Sequence, residues 1–196
     1  MGIRDPRVLE AVERVPRERF VPPALRQAAE EDRPLPIGHG QTISQPFIAA
    51  FMTEALRLSG SERVLEVGTG SGYQTALLAI LSRRVYSIEI VAELAAAAES
   101  ALREVTRIEN VELRVGDGRL GWPEEAPFDR ILVTAAPAKV PEALVEQLAP
   151  CGRMVIPIGP DSGIQQLTLL ERTGNGADRL VALLPVRFVP LTGGGS

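Results

Sequence analysis

The stretch Val64-Leu65-Glu66-Val67-Gly68-Thr69-Gly70-Ser71-Gly72-Tyr73 decides the fold of this chain. It begins with apolar and β-favouring residues and then passes into three closely spaced glycines. The helix formers of 74–81 follow directly, so the stretch predicts a strand, a tight turn and a helix. Glycines in such a turn let a ligand approach the bare backbone, and the amide groups of the helix start point at that ligand.

The spacing of these glycines, at 68, 70 and 72, distinguishes between classes of cofactor. A dinucleotide-binding turn follows G-x-G-x-x-G, and here Tyr73 stands where the third glycine of that pattern belongs. The pattern E-x-G-x-G-x-G instead resembles the first motif of S-adenosylmethionine-dependent methyltransferases with a Rossmann-like fold. A glycine turn that binds no ligand is the alternative at this point.

A second predicted strand, Arg84-Val85-Tyr86-Ser87-Ile88-Glu89, ends in an acidic residue. It ends about 20 residues beyond the glycines, where a βαβ unit places a carboxylate against the ribose hydroxyls of a nucleoside. An acid that simply faces water is the alternative interpretation of Glu89. Because the glycine turn lies upstream at this offset, we favour ribose binding.

The composition is that of one globular domain. A chain of 196 residues can bury one substantial core, and the net charge of −4 argues against nonspecific binding to nucleic acid or anionic membranes. Cys151 is the only cysteine, which excludes an intramolecular disulfide and a multi-cysteine metal site, and we expect no metal. The start of the chain has no apolar segment typical of a secretory signal, so we expect a cytoplasmic protein.

The rest of the chain alternates strand and helix patterns, as in α/β proteins. Five more strands are predicted over 111–115, 130–133, 154–158, 166–171 and 180–189. Helical patterns cover 6–15 and 24–31, and Pro46 and Pro141 begin two further helices. We therefore expect a mostly parallel, doubly wound, seven-stranded sheet with an N-terminal helical flank.

One polar segment carries a more specific resemblance. Gly38-His39-Gly40-Gln41-Thr42-Ile43-Ser44-Gln45-Pro46 resembles the signature of the protein-L-isoaspartate (D-aspartate) O-methyltransferases of the bacterial type. Further segments resemble that family in the same order, over nearly the whole chain: 7–11, 15–18, 64–73, 85–89, 116–118, 128–136, 152–159 and 186–192. The resemblance implies a Rossmann-like class I fold in one domain, with flank and substrate loop over 1–46, core over 47–192 and a flexible tail over 193–196.

The same resemblance implies an activity. It is methyl transfer from S-adenosyl-L-methionine to the free α-carboxylate of L-isoaspartyl residues in damaged proteins and peptides, which leaves S-adenosyl-L-homocysteine and initiates repair through a succinimide. Together with the glycine turn and Glu89, it implies the cofactor-binding residues Thr42, Ile43, Ser44, Glu66, Val67, Gly68, Gly70, Gly72, Glu89, Asp117 and Gly118. Ser44 is the implied catalytic residue, and the implied substrate-binding residues are Ser44, Val189 and Thr192.

Several of these residues have a purely structural alternative. Ser44 stands just before a helix that begins at Pro46, where a serine commonly caps the helix start. Asp117-Gly118 is also an ordinary turn sequence. Glu66 either faces the methionine end of the cofactor or supports the glycine turn.

Two rival functions also stay open. One is a methyltransferase of the same fold that acts on a small carboxylic acid or on RNA, although the net charge is wrong for RNA. The other is a non-catalytic cofactor-binding protein. We expect a monomer, because large protein substrates must reach the cleft.

Overall fold

A seven-stranded sheet lies at the centre of the computed structural model, which describes residues 2–106, 108–173 and 178–193. Residues 194–196 of the predicted tail lie outside these ranges. The strands are β1 Leu35–Gly38, β2 Gln41–Ile43, β3 Arg63–Val67, β4 Arg84–Glu89, β5 Val111–Val115, β6 Phe128–Val133, β7 Leu148–Ile158, β8 Gln165–Glu171 and β9 Arg179–Val186. The α-helices are α1 Pro6–Arg14, α2 Pro46–Leu56, α3 Tyr73–Leu81, α4 Ala92–Ala101 and α5 Glu142–Glu146.

The order of strands across the sheet is β5-β4-β3-β6-β7-β8-β9. The first five strands in this order run parallel, whereas β8 and β9 are antiparallel to their preceding neighbours. β3 lies in the middle of the parallel part, with Leu65 opposite Tyr86 of β4 on one side and Ile131 of β6 on the other. The predicted mostly parallel sheet of seven strands is confirmed.

Alternate residues of β3 divide the core into two layers. Val64 packs in a hydrophobic cluster with residues of α1, α2 and α3, while Leu65 and Val67 pack in a second cluster on the opposite face with Leu144 of α5. Because both faces are covered, the central strands are buried along nearly their whole length. In the described part of the chain, no helix combines the length and apolar character needed to cross a bilayer.

The N-terminal flank is fixed to the core through α1 and α2. Asp5 caps α1 by accepting a hydrogen bond from the amide of Arg7 at 2.9 Å, and Pro6 occupies the first helical position. The carboxylate of Glu54, in α2, accepts hydrogen bonds from the amides of Arg4 and Asp5. The flank therefore packs against the same side of the sheet as α2.

The structure differs from the sequence predictions in several local elements. The last strand, predicted over 180–189, ends at Val186 because Val186 is the last residue that pairs with β8. The predicted helix over 24–31 is a shorter 3-10 segment, Pro23–Ala28. The polar segment before Pro46 is a hairpin of β1 and β2, whose turn residues His39 and Gly40 both have positive φ. β7 begins at Leu148, earlier than predicted, because Phe128 of β6 already pairs with Leu148 before the register irregularity.

Candidate functional site

A cavity of about 600 Å³ opens at the carboxyl ends of β3, β4 and β6. Residues 67–71, 88–90 and 134–135 line it from the strand ends. The connection from β2 into α2 and the segment 184–192 enclose the other sides. Its volume lies within the usual range of about 300–1,000 Å³ for small-molecule sites, and its position is the general one for open parallel sheets.

This cavity brings together most of the residues predicted from the sequence, although they are far apart in the chain. The glycine turn and the segment that carries Ser44 face the same space. The predicted residues that line it are Thr42, Ile43, Ser44, Val67, Gly68, Gly70, Glu89, Gly118, Val189 and Thr192. Glu66, Gly72 and Asp117 do not line it.

The turn after β3 requires glycine for a steric reason. Gly68 has φ of 95°, and a Cβ atom at this position would lie 2.2 Å from Oγ1 of Thr134. That hydroxyl donates hydrogen bonds to the carbonyl oxygens of Val67 and Gly68, at 3.0 and 2.6 Å. The backbone of the turn is thus held by the end of the neighbouring strand, and its cavity side is left bare.

Glu89 lies in the cavity wall, as expected from its place at the end of β4. Its carboxylate oxygens accept hydrogen bonds from the amides of Gly70, at 2.8 Å, and Val91, at 3.0 Å. A carboxylate oxygen has a second lone pair, so these bonds leave Glu89 able to accept from ribose hydroxyls as well. Glu89 therefore both fixes the glycine turn and presents acceptors to the cavity.

Asp117 and Gly118 follow β5, and each of them lines a different cavity. Gly118 lines the main cavity, and a Cβ atom there would lie 2.3 Å from Cγ1 of Val67. Asp117 lines an adjoining cavity of about 270 Å³, and Ile88 lines both cavities. The Asp117 carboxylate accepts hydrogen bonds from the amide of Arg119, at 2.9 Å, and from its guanidinium, at 2.7 Å.

Glu66 is fully buried beneath the glycine turn. Its Oε2 accepts hydrogen bonds from the hydroxyls of Thr75 and Ser87, both at 2.6 Å, and Ser87 Oγ lies 2.6 Å from the hydroxyl of Thr69 in the turn. Burial raises the pKa of Glu66 to about 8, and the charge of Glu89 adds to that rise. Of the two roles considered for Glu66, this arrangement favours support of the turn.

Gly72 has a packing role at the start of α3. It is the N-cap residue of this helix, with φ of 86°, and a Cβ atom there would approach Cβ of Ala98 to 3.2 Å. Its lack of a side chain lets α3 begin close against α4.

Ser44 is half-buried in the connection from β2 to α2 and lines the cavity. The first turn of α2 is capped by Asp32, whose Oδ1 accepts a hydrogen bond from the amide of Phe47 at 3.0 Å. The alternative interpretation, in which Ser44 caps this helix, is therefore wrong. The carbonyl oxygen of Ser44 accepts a hydrogen bond from Nη2 of Arg17 at 2.9 Å.

Sequence reasoning missed several residues that line the cavity. Thr134 directly follows β6, and the rule that ligands bind at the carboxyl ends of parallel strands would have indicated it. Tyr73 was considered only as a missing glycine, yet it lines the cavity from the start of α3. Arg187, the one cationic residue among the described residues of the lining, has no local signal in the sequence.

The segment after β9 closes the cavity through backbone contacts with the end of β6. The amide of Ala136 donates to the carbonyl of Val189 at 2.8 Å, and the amide of Leu191 donates to the carbonyl of Ala136 at 2.9 Å. In addition, the buried side chain of Gln165 accepts from the amide of Phe188 at 2.9 Å. Val189 and Thr192 of this segment line the same cavity as the glycine turn.

Comparison with known proteins identifies close relatives of this chain. The family model of protein-L-isoaspartate(D-aspartate) O-methyltransferase matches residues 1–196. Protein-L-isoaspartate O-methyltransferase 1 of an Anaeromyxobacter species is 63% identical over 193 residues, which are 98% of this chain and 91% of that protein.

Two solved structures are similar over nearly the whole chain. A protein-L-isoaspartate O-methyltransferase, 31% identical, matches with a TM-score of 0.86 over 98% of this chain, which spans 62% of that longer chain. A Plasmodium falciparum protein described as such a methyltransferase, in complex with S-adenosyl-L-homocysteine, matches with a TM-score of 0.82 and 29% identity. That match covers 97% of this chain and 93% of the other. The chain belongs to the protein-L-isoaspartate (D-aspartate) O-methyltransferase family of S-adenosylmethionine-dependent enzymes.

Proposed function

We propose that this protein transfers a methyl group from S-adenosyl-L-methionine to the free α-carboxylate of L-isoaspartyl residues in damaged proteins and peptides. The products are S-adenosyl-L-homocysteine and a methyl ester, which loses methanol as it closes to a succinimide. Hydrolysis of that ring partly restores normal aspartate. The observation that carries the proposal is the single cavity shared by the glycine turn and the Ser44 segment.

The residues around the cavity fit this cofactor. The backbone at Gly68 and Gly70 is bare, Glu89 presents carboxylate oxygens for the ribose, and Gly118 lines the cavity where the family resemblance implies the adenine ring. Asp117 lines the adjoining cavity next to it. The cofactor supplies an electrophilic methyl group on a positively charged sulfur. Glu66 supports the turn from below through Ser87 and Thr69.

The reaction needs no general base. The substrate carboxylate, with an ordinary pKa of about 4, is already ionised at neutral pH. A C–O bond forms as the S–C bond breaks with its electron pair going to sulfur, and no proton moves. The protein therefore acts by alignment and partial desolvation of the carboxylate. The hydroxyl of Ser44 donates a hydrogen bond that orients this group, while Val189 and Thr192 line the groove for the rest of the peptide.

We extend the proposal to the setting of the enzyme. It works as a cytoplasmic monomer on polypeptide substrates, without nucleic acid or membrane partners. The net charge of −4 supports the exclusion of RNA, because an RNA-binding surface needs an excess of basic residues. Ser44 and Thr192 both line the cavity, so a peptide that carries the carboxylate would lie along these two segments.

A paired-peptide assay tests the function. The protein is incubated with methyl-labelled cofactor and two peptides that differ only in an isoaspartyl or an aspartyl residue. We expect base-labile methyl ester on the isoaspartyl peptide alone. Label in RNA or in a small carboxylic acid would support another methyltransferase, and cofactor binding without any label transfer would support a non-catalytic protein.

Replacing Ser44 tests its role in orientation. Because Ser44→Ala removes one hydrogen bond to a charged group, of about 1.5–3 kcal/mol, kcat/KM for the isoaspartyl peptide is expected to fall by about 10- to 100-fold. Ser61→Ala, in an exposed loop, serves as the control and keeps wild-type kinetics. Equal kinetics for both variants would remove Ser44 from the mechanism.

A glycine pair tests the role of the turn in binding the cofactor. Gly68→Ala forces Thr134 away from the turn. We therefore expect the affinity for S-adenosyl-L-homocysteine, measured by calorimetry, to fall by about tenfold or more. A tenfold loss corresponds to about 1.4 kcal/mol of binding free energy. Gly60→Ala is the matched control, because Gly60 has a similar φ of 103° and no atom within 4 Å of the added Cβ. Both variants lose stability through backbone strain, but only Gly68→Ala should lose affinity.

The burial of Glu66 predicts a pH dependence of stability. Because the pKa of Glu66 rises from 4.5 to about 8 on folding, its protonated form adds to the free energy of unfolding. This contribution is fully present below about pH 4.5 and is lost as the pH rises through 8. Glu66→Gln keeps an acceptor for Thr75 and Ser87 but does not titrate. In urea unfolding, wild type should therefore lose stability relative to Glu66→Gln between pH 5 and 8. The exposed Glu93→Gln control should run parallel to wild type, and parallel curves for Glu66→Gln would contradict the assignment.

A further inference from the structure

Arg17 joins the N-terminal flank to the loop that carries Ser44. Arg17 is almost fully buried, at 2% exposure. Nη2 donates to the carbonyl oxygens of Ser44, at 2.9 Å, and Arg33, at 3.4 Å, and Nη1 donates to that of Ala29. One guanidinium therefore holds three backbone segments, one of which forms the cavity wall.

The charge of Arg17 is not neutralised by an ion pair within the described residues. Glu30 and Asp32 act on it only at a distance, and burial lowers its pKa. Its Nε is buried and makes no hydrogen bond to any described residue. Burying a cation with incomplete pairing costs free energy, which packed apolar residues at the same place would avoid.

Arg17 also contacts the cofactor side of the cavity. Its guanidinium carbon lies 5.9 Å from the centre of the Tyr73 ring, and Phe20 packs edge-on against that ring at 5.8 Å. Tyr73 begins α3 directly after the glycine turn and lines the cavity. Arg17 thus contacts two residues that line the cavity, Ser44 and Tyr73, without lining it itself.

We infer that Arg17 is a positioning residue for methyl transfer, which fixes the backbone of Ser44 relative to Tyr73 and so aims the Ser44 hydroxyl at the substrate carboxylate. The inference rests on the proposed function. Asp32, and not Ser44, caps α2, and among the described residues Arg17 makes the polar contact with the backbone of Ser44. Small displacements of an aligning group cost large factors in rate, so loss of this contact acts on turnover.

A second arginine in the same chain provides a matched control. Nε of Arg130 donates to the carbonyl of Leu56 at 2.7 Å, and its Nη2 lies 3.5 Å from the carbonyl of Arg57, at the opposite end of α2. Arg130 therefore makes the same type of backbone contact around the same helix, away from the cavity, and it also has an ion pair with Glu62 at 3.7 Å. A purely structural role for Arg17 predicts that lysine substitutions at 17 and 130 behave alike.

The test compares Arg17→Lys and Arg130→Lys with the wild type under identical buffer conditions. Lysine keeps the charge but cannot span three carbonyl groups. We expect Arg17→Lys to lower kcat for the isoaspartyl peptide by tenfold or more while affinity for S-adenosyl-L-homocysteine changes less than threefold. Arg130→Lys should lower the melting temperature without changing kcat of the folded enzyme.

A double-mutant cycle decides whether Arg17 acts through Ser44. If it does, Arg17→Lys should lower kcat/KM by less than threefold when Ser44→Ala is already present. Additive effects would overturn the inference, and so would equal kinetics for Arg17→Lys and wild type. If the lysine variant does not fold, Arg17→Gln is used in the same cycle. If neither variant folds, Arg17 is needed for folding, and this outcome also overturns the inference.

The order of the experiments separates this inference from the proposed function. Wild type is first tested on the paired peptides, and absence of methyl ester there counts against the function. A wild type that methylates the isoaspartyl peptide, together with unaffected Arg17 variants, counts against the inference alone.

Discussion

The cavity depends on how the glycine-rich turn after β3 is held in place. The amide of Gly68 donates to the carbonyl of Ile88 at 2.8 Å, and the amide of Thr134 donates to the carbonyl of Val67 at 2.9 Å. The neighbouring strands β4 and β6 thus continue the pairing of the parallel sheet just beyond the end of β3. Because these hydrogen bonds use only the sheet-side groups of the backbone, the opposite side of the turn stays open for a ligand.

Much of this arrangement could be predicted from the sequence, because its signals are local. The glycine spacing after Val67, the acid at Glu89 and the regular alternation of strands and helices each depend on residues close together in the chain. Their meeting in one cavity follows from the rule that parallel strands end at one edge of a sheet. The resemblance of the segment around Ser44 to a known family supplied the other wall.

The features that escaped prediction are long-range contacts between single side chains. The cap that Asp32 provides to α2 and the contact of Arg17 with Ser44 span 15 and 27 residues and follow no periodicity. The hairpin of β1 and β2 escaped because strands of four and three residues are too short to show alternation. Glu66 was ambiguous for another reason, since only its burial, which the sequence does not report, distinguishes a ligand contact from a support.

The backbone pairing of Ala136 with Val189 and Leu191 also determines the order in which the site is assembled. Translation proceeds from the N-terminus, so the glycine turn, Glu89 and Thr134 all leave the ribosome before the segment that closes the cavity. Until that segment has emerged and paired with Ala136, the wall formed by Val189 and Thr192 does not exist. A nascent chain of this protein therefore has no complete cavity until almost all of these residues have been synthesised.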